Sequence, residues 1–361
     1  MPAANTDSGR QSETMESRPG ASLSTVMHVC DSLRRVFGSP TYKPPMLPSV
    51  ALEIHHLSCS VDIDTDKLIS VLERDPMLAG HVLKVANSPA FRGRDQESSL
   101  RTAVMRLGLK NLGEVVFELA LHMRVFRSVD YSDAMEDLRR HSTACANLCR
   151  MLAARTGQDP ENAFLCGLMH DIGIAGILIV LGENAKSRST LDPIVIDEVV
   201  RQTHEEISGM LVQLWKLPAE VSDVVSKHHQ AAVTGEAPVL SSVVALADSL
   251  SVKMGFAVDL GAGPLDRGEQ VQIFAACEKL GIPHEDLPII ESESAVVLKA
   301  AAKVMEHTKV SQETKPEESR KPETAPATAK SSQTKNAPSS SARKSSSGFF
   351  SRLWRSLFRW M

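Results

Sequence analysis

Aromatic residues make up only 4% of this 361-residue chain, although 42% of its residues are hydrophobic. Leu, Val, Ala, Ile and Met must therefore fill the core, whereas β-sandwiches depend more heavily on aromatic and β-branched side chains. The chain also lacks convincing runs in which apolar and polar residues alternate, which is the pattern of a half-buried strand. The composition accordingly favours a fold of packed helices.

Cysteines are few and scattered, and no Cys-x-x-Cys pair indicates a thiolate zinc site. Cys145 and Cys149 are four residues apart and could share one face of a helix. We interpret the cysteines as small core residues of a reduced cytoplasmic protein without disulfides. The six positions are Cys30, Cys59, Cys145, Cys149, Cys166 and Cys277.

Long apolar segments are also missing. Residues 1–18 are polar and lack the hydrophobic region of a signal peptide. The longest aliphatic run, residues 177–181, is far too short to span a bilayer. We therefore expect a cytoplasmic protein that is soluble or attached peripherally to the inner face of the membrane.

Positive charge is concentrated at the C-terminal end, where residues 309–361 contain eleven Lys or Arg against four Glu. The rest of the chain is acidic, because the net charge of the whole is −4. An acidic body argues against a nucleic-acid-binding surface on the folded part. The basic tail by itself predicts only salt-sensitive, non-specific contact with nucleic acid.

Composition divides the chain into segments around one long helical region. Residues 309–347 are rich in Ser, Thr, Lys, Pro and Glu, so they cannot bury enough apolar surface to offset chain entropy. The predicted segments are a disordered leader at 1–22, an N-terminal helix and connector at 23–44, a long helical region at 45–308, a disordered linker at 309–347 and an amphipathic helix at 348–361.

Capping residues and helical spacing of apolar positions predict individual helices within these segments. Asp64 and the pair Asp75-Pro76 read as helix starts. The predicted helices cover residues 24–37, 64–75, 76–86, 100–107, 112–125, 135–156, 160–181, 192–215, 219–228 and 239–254.

The last segment, residues 348–361, separates apolar from basic residues when it is drawn as a helix. One side carries Phe349, Phe350, Leu353, Trp354, Leu357, Phe358 and Met361, and the arginines fall mostly on the other. This pattern is typical of a helix that lies in the membrane interface or docks into a groove on a partner protein. The third interpretation is a helix that folds back on its own core, which the long polar linker disfavours.

Histidine and aspartate recur through the helical region at 45–308 in positions that could hold a metal ion. Imidazole nitrogens and carboxylate oxygens are ligands of borderline and hard divalent cations. Asp137 and His141 lie one helical turn apart, and the adjacent His170 and Asp171 offer both ligand types to one ion. The alternative is a set of polar residues satisfied inside a helical bundle.

Five blocks of sequence, in order, resemble the HDOD (HD-related output) domain of the HD phosphohydrolase superfamily. The block at 167–173 reads Gly-Leu-Met-His-Asp-Ile-Gly and resembles the HD motif itself. The other blocks lie at residues 47–54, 73–88 and 103–109, and at 215–218 followed by the Lys-His-His of 227–229. The resemblance spans roughly residues 45–255, and it implies a domain at 45–255 with an HD-like core at about 135–255, followed by a helical extension at 256–308.

The resemblance implies an all-α fold in which an N-terminal helical part packs on an HD-type bundle. Typical members act as output or scaffold modules in bacterial signalling through protein partners, and many have lost part of the metal site. Matching to catalytic relatives implies one or two Fe, Mn or Zn ions and a bridging water. The implied ligands are Asp137, His141, His170, Asp171, His204, His228, His229 and Asp248.

Two departures from the catalytic relatives bear on activity. Ile174 stands where they carry a lysine after the HD motif, and no Gly-Tyr-Pro motif lies between His229 and Asp248. Hydrolysis of cyclic-di-GMP of the HD-GYP kind is therefore not supported. The leading hypothesis is a signal-output protein, and the alternative is a metal-dependent phosphohydrolase of a nucleotide or cyclic nucleotide, with His170 and Asp171 catalytic in that case alone.

Overall fold

The computed structural model describes residues 23–58, 64–88, 91, 99–185, 191–230, 237–264 and 269–308. Every secondary-structure element longer than an isolated bridge in these ranges is a helix. The predicted all-α fold is confirmed. Fourteen α-helices lie in these ranges: α1 (Leu23–Phe37), α2 (Ser49–Ser58), α3 (Thr65–Leu72), α4 (Pro76–Ala86), α5 (Leu100–Leu107), α6 (Leu109–Arg124), α7 (Ser132–Thr156), α8 (Pro160–Met169), α9 (Ile172–Ala185), α10 (Pro193–Leu214), α11 (Ala219–Val225), α12 (Val239–Lys253), α13 (Glu269–Leu280) and α14 (Leu287–Thr308).

An Asp-Pro pair begins three of these helices. At α4 the Asp75 carboxylate accepts hydrogen bonds from the amides of Met77 and Leu78, and Pro76 occupies the first turn. Asp159 and Asp192 cap α8 and α10 in the same way, each followed by a proline. The carboxylate satisfies amides that lack a partner in the helix, and proline needs none there. The predicted starts at Asp64 and Asp75 are both confirmed.

The segment predicted as one helix over 160–181 is two helices, α8 and α9, that meet at His170 and Asp171. Beyond the break, the Gly173 amide donates to the Ser208 Oγ of α10 at 2.9 Å. Gly173 has no Cβ, and one added there would overlap the backbone oxygen of His204. Directly after the break, α9 therefore passes close to α10, a contact that apolar periodicity does not encode.

By length and composition, residues Pro160–Glu183 could cross a membrane. In the fold, however, 94% of the qualifying window is buried among the other helices. Such burial is typical of a core element, whose hydrophobic surface is already covered by protein.

The helix predicted over 219–228 ends at Val225, so that part of the prediction was wrong. Residues 226–229 form turns instead. Within them the His228 Nδ1 lies 2.7 Å from the Val225 carbonyl oxygen, a local bond that accompanies the turn.

One continuous core joins the N-terminal helices to the later bundle. Helix α7 packs against α8, α12 and α14, while α1 packs against α10 and α2 against α6. The Trp215 indole donates to the Pro45 carbonyl at 3.0 Å, and Arg34 of α1 pairs with Glu206 of α10 at 2.8 Å. The five cysteines in the described ranges are buried and free.

Three predicted segments lie outside the described residues: the leader at 1–22, the linker at 309–347 and the amphipathic helix at 348–361. The domain boundaries predicted at 44/45 and 255/256 remain predictions.

Candidate metal centre

Seven of the eight predicted ligands converge at one place in the bundle. Helix α7 contributes His141, the break between α8 and α9 contributes His170 and Asp171, and α10 contributes His204. The turn after α11 and helix α12 supply the rest. We call these seven residues the His/Asp centre: His141, His170, Asp171, His204, His228, His229 and Asp248.

The centre consists of two groups, and within each group the ligand atoms all lie within 4.8 Å of one another. One group is His141, His170 and Asp248, and the other is Asp171, His204, His228 and His229. In the first, His141 Nε2 lies 3.2 Å from His170 Nε2 and 3.1 Å from Asp248 Oδ1. In the second, His204 Nε2 lies 3.1 Å from His229 Nε2.

Asp171 stands between the two groups and faces both. Its Oδ2 lies 3.6 Å from His141 Nε2 and 3.4 Å from His170 Nε2. Its Oδ1 lies 3.5 Å from His204 Nε2 and 3.6 Å from His228 Nε2. A carboxylate in this position can give one oxygen to each of two ions.

Backbone carbonyls fix the orientation of four of the five imidazoles. His141 Nδ1 lies 2.8 Å from the Phe256 oxygen, and His170 Nδ1 lies 2.8 Å from the Gly167 oxygen. His204 and His228 make the same kind of contact, at 2.7 Å, with Val200 and Val225. A carbonyl only accepts, so each Nδ1 carries the hydrogen and each Nε2 presents a lone pair to the centre.

The donor set fits a divalent cation. Because both Nδ1 atoms carry the hydrogen, the His141 and His170 Nε2 atoms are two acceptors facing each other at 3.2 Å. A cation held by His141 and His170 would remove the repulsion of their lone pairs. Neutral imidazoles mixed with carboxylates suit Fe, Mn or Zn, and the outer carbonyl bonds are those that orient metal-binding histidines.

Six members of the centre are buried, and His229 alone is half-buried. Burial by itself would lower the pKa of His170, but Asp171, Cys145 and Asp248 raise it on balance. Burial opposes protonation of His228 too, while Asp171 and Glu205 raise its pKa. The carboxylates therefore make this interior favourable for positive charge.

Asp137, the eighth predicted ligand, belongs to neither group. Its side chain is 34% exposed and lies 3.9 Å from the Arg140 guanidinium. Partial burial raises its pKa, and Arg140 opposes that rise. Asp137 thus lies one turn before His141 but is partly exposed to solvent, unlike the enclosed residues of the two groups.

Glu205 was not predicted as a functional residue, and the one feature of the sequence that could have indicated it is its position directly after His204. The Glu205 carboxylate accepts a hydrogen bond from the His229 amide at 2.9 Å and lies 3.7 Å from His228 Nδ1. It therefore holds the His228–His229 turn against α10. Ile174, the residue at the family's lysine position, is fully buried in the core.

Comparison with known proteins identifies a family whose sequence model matches this chain. The family model of the HDOD domain matches residues 45–231. A protein of Treponema pallidum (strain Nichols) is 28% identical over 195 residues, or 51% of this chain and 37% of that protein. A ribonuclease Y of Thermus thermophilus is 30% identical over 204 residues, or 56% of this chain and 28% of that enzyme. The chain thus spans less than two fifths of the length of these relatives.

Solved structures share the fold at low sequence identity. A Shewanella amazonensis protein assigned as a metal-dependent phosphohydrolase superposes with a TM-score of 0.57 at 19% identity, over 79% of this chain and 100% of that one. An HDOD domain protein of Geobacter sulfurreducens gives 0.55 at 22%, over 78% and 99%. A Marinobacter aquaeolei protein assigned to signal transduction gives 0.57 at 23%, over 78% and 64%.

Proposed function

Since the chain belongs to the HDOD family, we propose that it is a bacterial signal-output protein whose His/Asp centre holds one or two divalent metal ions. Signals leave it through contacts with partner proteins. The observation that carries the metal part is the position of Asp171, which turns one oxygen toward each group of ligands. Iron, manganese and zinc are the ions that this donor set favours.

The ligands are far apart in sequence, and this supports a conformational role for the metal. They come from α7, the α8–α9 break, α10, the turn after α11 and α12. An ion bound to all of them links five segments, so its binding favours the conformation in which those segments are together. A partner that recognises this conformation would respond to metal occupancy.

The first experiment is metal analysis of the full chain, purified without chelators or nickel affinity, beside Asp171→Asn. This change keeps the side-chain shape and removes the charge shared by both groups. We expect near-stoichiometric Fe, Mn or Zn in the wild type and loss of most of it in the variant. Plasma mass spectrometry provides the measurement.

Asp223→Asn is the matched control, because Asp223 is exposed on α11. It should retain wild-type metal content. Equal metal content in Asp171→Asn and Asp223→Asn, or no metal in the wild type, would remove the metal from the proposal.

A second candidate function is hydrolysis of a phosphoester, in a nucleotide or in RNA. Two observations favour it: the shared Asp171, and the similarity of half of the chain to proteins named ribonuclease Y. Bound divalent ions would supply Lewis acidity toward a phosphoryl group and an attacking water. The residues of the centre would hold the ions, and the half-buried His229 marks the side from which a substrate would enter.

Ile174 weighs against turnover, because its buried side chain offers no charge to a phosphate. The test uses bis(p-nitrophenyl) phosphate, a cyclic dinucleotide and a short single-stranded RNA, each with added Mn²⁺. Hydrolysis by the wild type and by Asp223→Asn, with at least a hundred-fold loss in Asp171→Asn, roughly the effect of losing a catalytic group, would support it. No hydrolysis of any of these, or equal rates in all three proteins, would exclude it.

The proposal also places the protein in the cytoplasm, with residues 348–361 attaching it to the inner membrane face or to a partner. Seven large apolar residues on one side of that segment and arginines on the other support this. Full-length protein should sediment with phosphatidylglycerol vesicles, and protein lacking residues 348–361 should not. Equal sedimentation of the two proteins would contradict membrane attachment by this segment.

A further inference from the structure

A second polar site lies on the other side of α7 from the His/Asp centre. A cleft of ≈ 240 Å³ opens between α6 and α7, with Phe91 and Ala301 of α14 at its edges. Helix α7 lines it with Thr143, Asn147 and Arg150, which follow one another by four and three residues and so share a face. His141 precedes Thr143 by two residues, about 200° around the helix.

Glu118 of α6 is the buried charge in this cleft. Its residue exposure is 8%, and its Oε1 accepts a hydrogen bond from the Thr143 hydroxyl at 3.0 Å. Among the ion pairs of the described residues, none within 4.0 Å includes Glu118. Burial raises its pKa, while the Thr143 hydroxyl and the more distant charge of Arg139 on α7 oppose that rise. A carboxylate that is buried and has no ion pair within 4.0 Å favours a ligand that brings positive charge.

Arg150, the cation among the described residues that line the cleft, is already engaged. It pairs with Glu114 of α6 and lies over the Phe164 ring at 4.3 Å. Glu114 is itself buried, and burial together with nearby Glu161 raises its pKa to about 8. The described walls of the cleft thus carry one guanidinium and two buried acidic groups, of which Glu114 keeps its proton at neutral pH.

Two amides add further acceptors. The Asn111 side-chain amide nitrogen donates to the Leu107 carbonyl at 2.8 Å, and that of Asn147 donates to the Thr143 carbonyl at 2.8 Å. Because those partners only accept, the amide groups cannot be reversed, and their oxygens remain as acceptors. A ligand for this cleft must therefore be rich in hydrogen-bond donors.

We propose that the cleft between α6 and α7 binds a small organic cation, an ammonium group on a short apolar body, with Glu118 as its counter-charge. Asn111 and Asn147 accept hydrogen bonds from the ammonium, and Phe91 covers the apolar part. The cation lies between the N-terminal helices and the bundle that carries the His/Asp centre, so its binding joins those two parts. This site is separate from the metal proposal and does not depend on it.

The test is calorimetric titration of the full chain with 2-phenylethylammonium chloride, beside its neutral counterpart 2-phenylethanol. We expect saturable binding of the cation and binding of the alcohol at least ten-fold weaker. Glu118→Gln should weaken cation binding about ten-fold or more, since charge-assisted hydrogen bonds are the strong ones. Glu278→Gln makes the same change at an exposed position of α13 and should bind as the wild type does.

Several outcomes would overturn the proposal: no saturable binding of the cation at millimolar concentration, equal binding of the alcohol, or unchanged affinity in Glu118→Gln. If circular dichroism shows that Glu118→Gln does not fold, Asn147→Leu decides instead, because Asn147 is only half-buried. Asn147→Leu removes an acceptor, and unchanged affinity in that variant would equally overturn the proposal. Metal content should not change in either variant.

Discussion

The orientation of single side chains governs what the His/Asp centre can bind. Carbonyl oxygens hold Nδ1 of four histidines, so their Nε2 atoms turn inward together. A neutral imidazole has one donor nitrogen and one acceptor nitrogen, and the inward convergence of the acceptor nitrogens is what distinguishes these histidines. The sequence predicted which histidines would be ligands, but it carried no information on which ring nitrogen of each would face the centre.

Gly173 provides a test of how tightly α9 must approach α10. Gly173→Ala places a methyl group against the backbone of His204 and Ser208, so we expect it to lower the free energy of unfolding by about 1–3 kcal/mol. It should also reduce metal content, because His204 moves. Urea denaturation and metal analysis provide the measurements.

Gly80→Ala is the matched control, since a Cβ at this position of α4 meets nothing within 4 Å. We expect it to raise the free energy of unfolding by about 0.4–1 kcal/mol. Equal effects of the two substitutions would contradict the close approach at Gly173.

Glu114 predicts a pH dependence of stability. Its pKa is about 8 in the folded protein against an ordinary value of 4.5, so the folded state holds a proton that the unfolded state releases. This contribution to stability is complete below pH 4.5 and is lost as the pH rises to about 8. Arg150 and Glu161, from α7 and α8, face the same carboxyl group.

Glu114→Gln should remove this part of the pH dependence, which is at most about 1.4 kcal/mol per pH unit. The free energy of unfolding of the wild type, relative to the variant, should fall between about pH 5 and about pH 8. Urea titrations of both proteins across this range measure it. Parallel pH profiles would show that Glu114 titrates normally in the folded protein.

At the level of helices, the sequence predicted some boundaries well and missed others for identifiable reasons. Helix α5 begins and ends at the predicted residues, because Ser99 caps it and Gly108 follows it. The α8–α9 break and the end of α11 depend on contacts with Ser208 and with the Val225 carbonyl. Such contacts depend on which elements become neighbours, and periodicity within one segment does not report them.

Helix α6 is another case, at the cleft, in which the sequence of one segment did not predict its contacts with a neighbouring helix. The sequence predicted a helix over residues 112–125, and Glu114 and Glu118 are buried among its residues. Nothing in the sequence indicated that these glutamates would face Thr143 and Arg150 of another helix. The spacing of Asp137 and His141 likewise could not show that Asp137 would face Arg140.

The Asp-Pro starts predict an effect confined to one helix. Asp75→Ala removes the hydrogen bonds to the Met77 and Leu78 amides, so the free energy of unfolding should fall by about 0.5–2 kcal/mol. Metal content should stay unchanged, because α4 contributes no ligand. Asp223→Ala, at an exposed site, should change stability by no more than about 0.5 kcal/mol. Similar losses in both variants would argue against a capping role.

For the whole molecule, metal removal should lower thermal stability. The ligands come from five segments between His141 and Asp248, and an ion that binds only the folded state stabilises it by mass action. Chelator should lower the melting temperature of the wild type, and added Mn²⁺ or Zn²⁺ should restore it. Asp171→Asn should show neither change. An equal response in Asp171→Asn would mean that the ions act elsewhere.

Helix α7 has the His/Asp centre on one face and the cleft on another, and it is a single rod of 25 residues. A rod cannot turn or slide at one side without doing so at the other. If occupancy of the cleft shifts α7, thermodynamic reciprocity requires that the organic cation change metal affinity by the same factor by which the metal changes affinity for the cation. Through this one helix, the protein's output would then depend on whether the metal and the organic cation are bound at the same time.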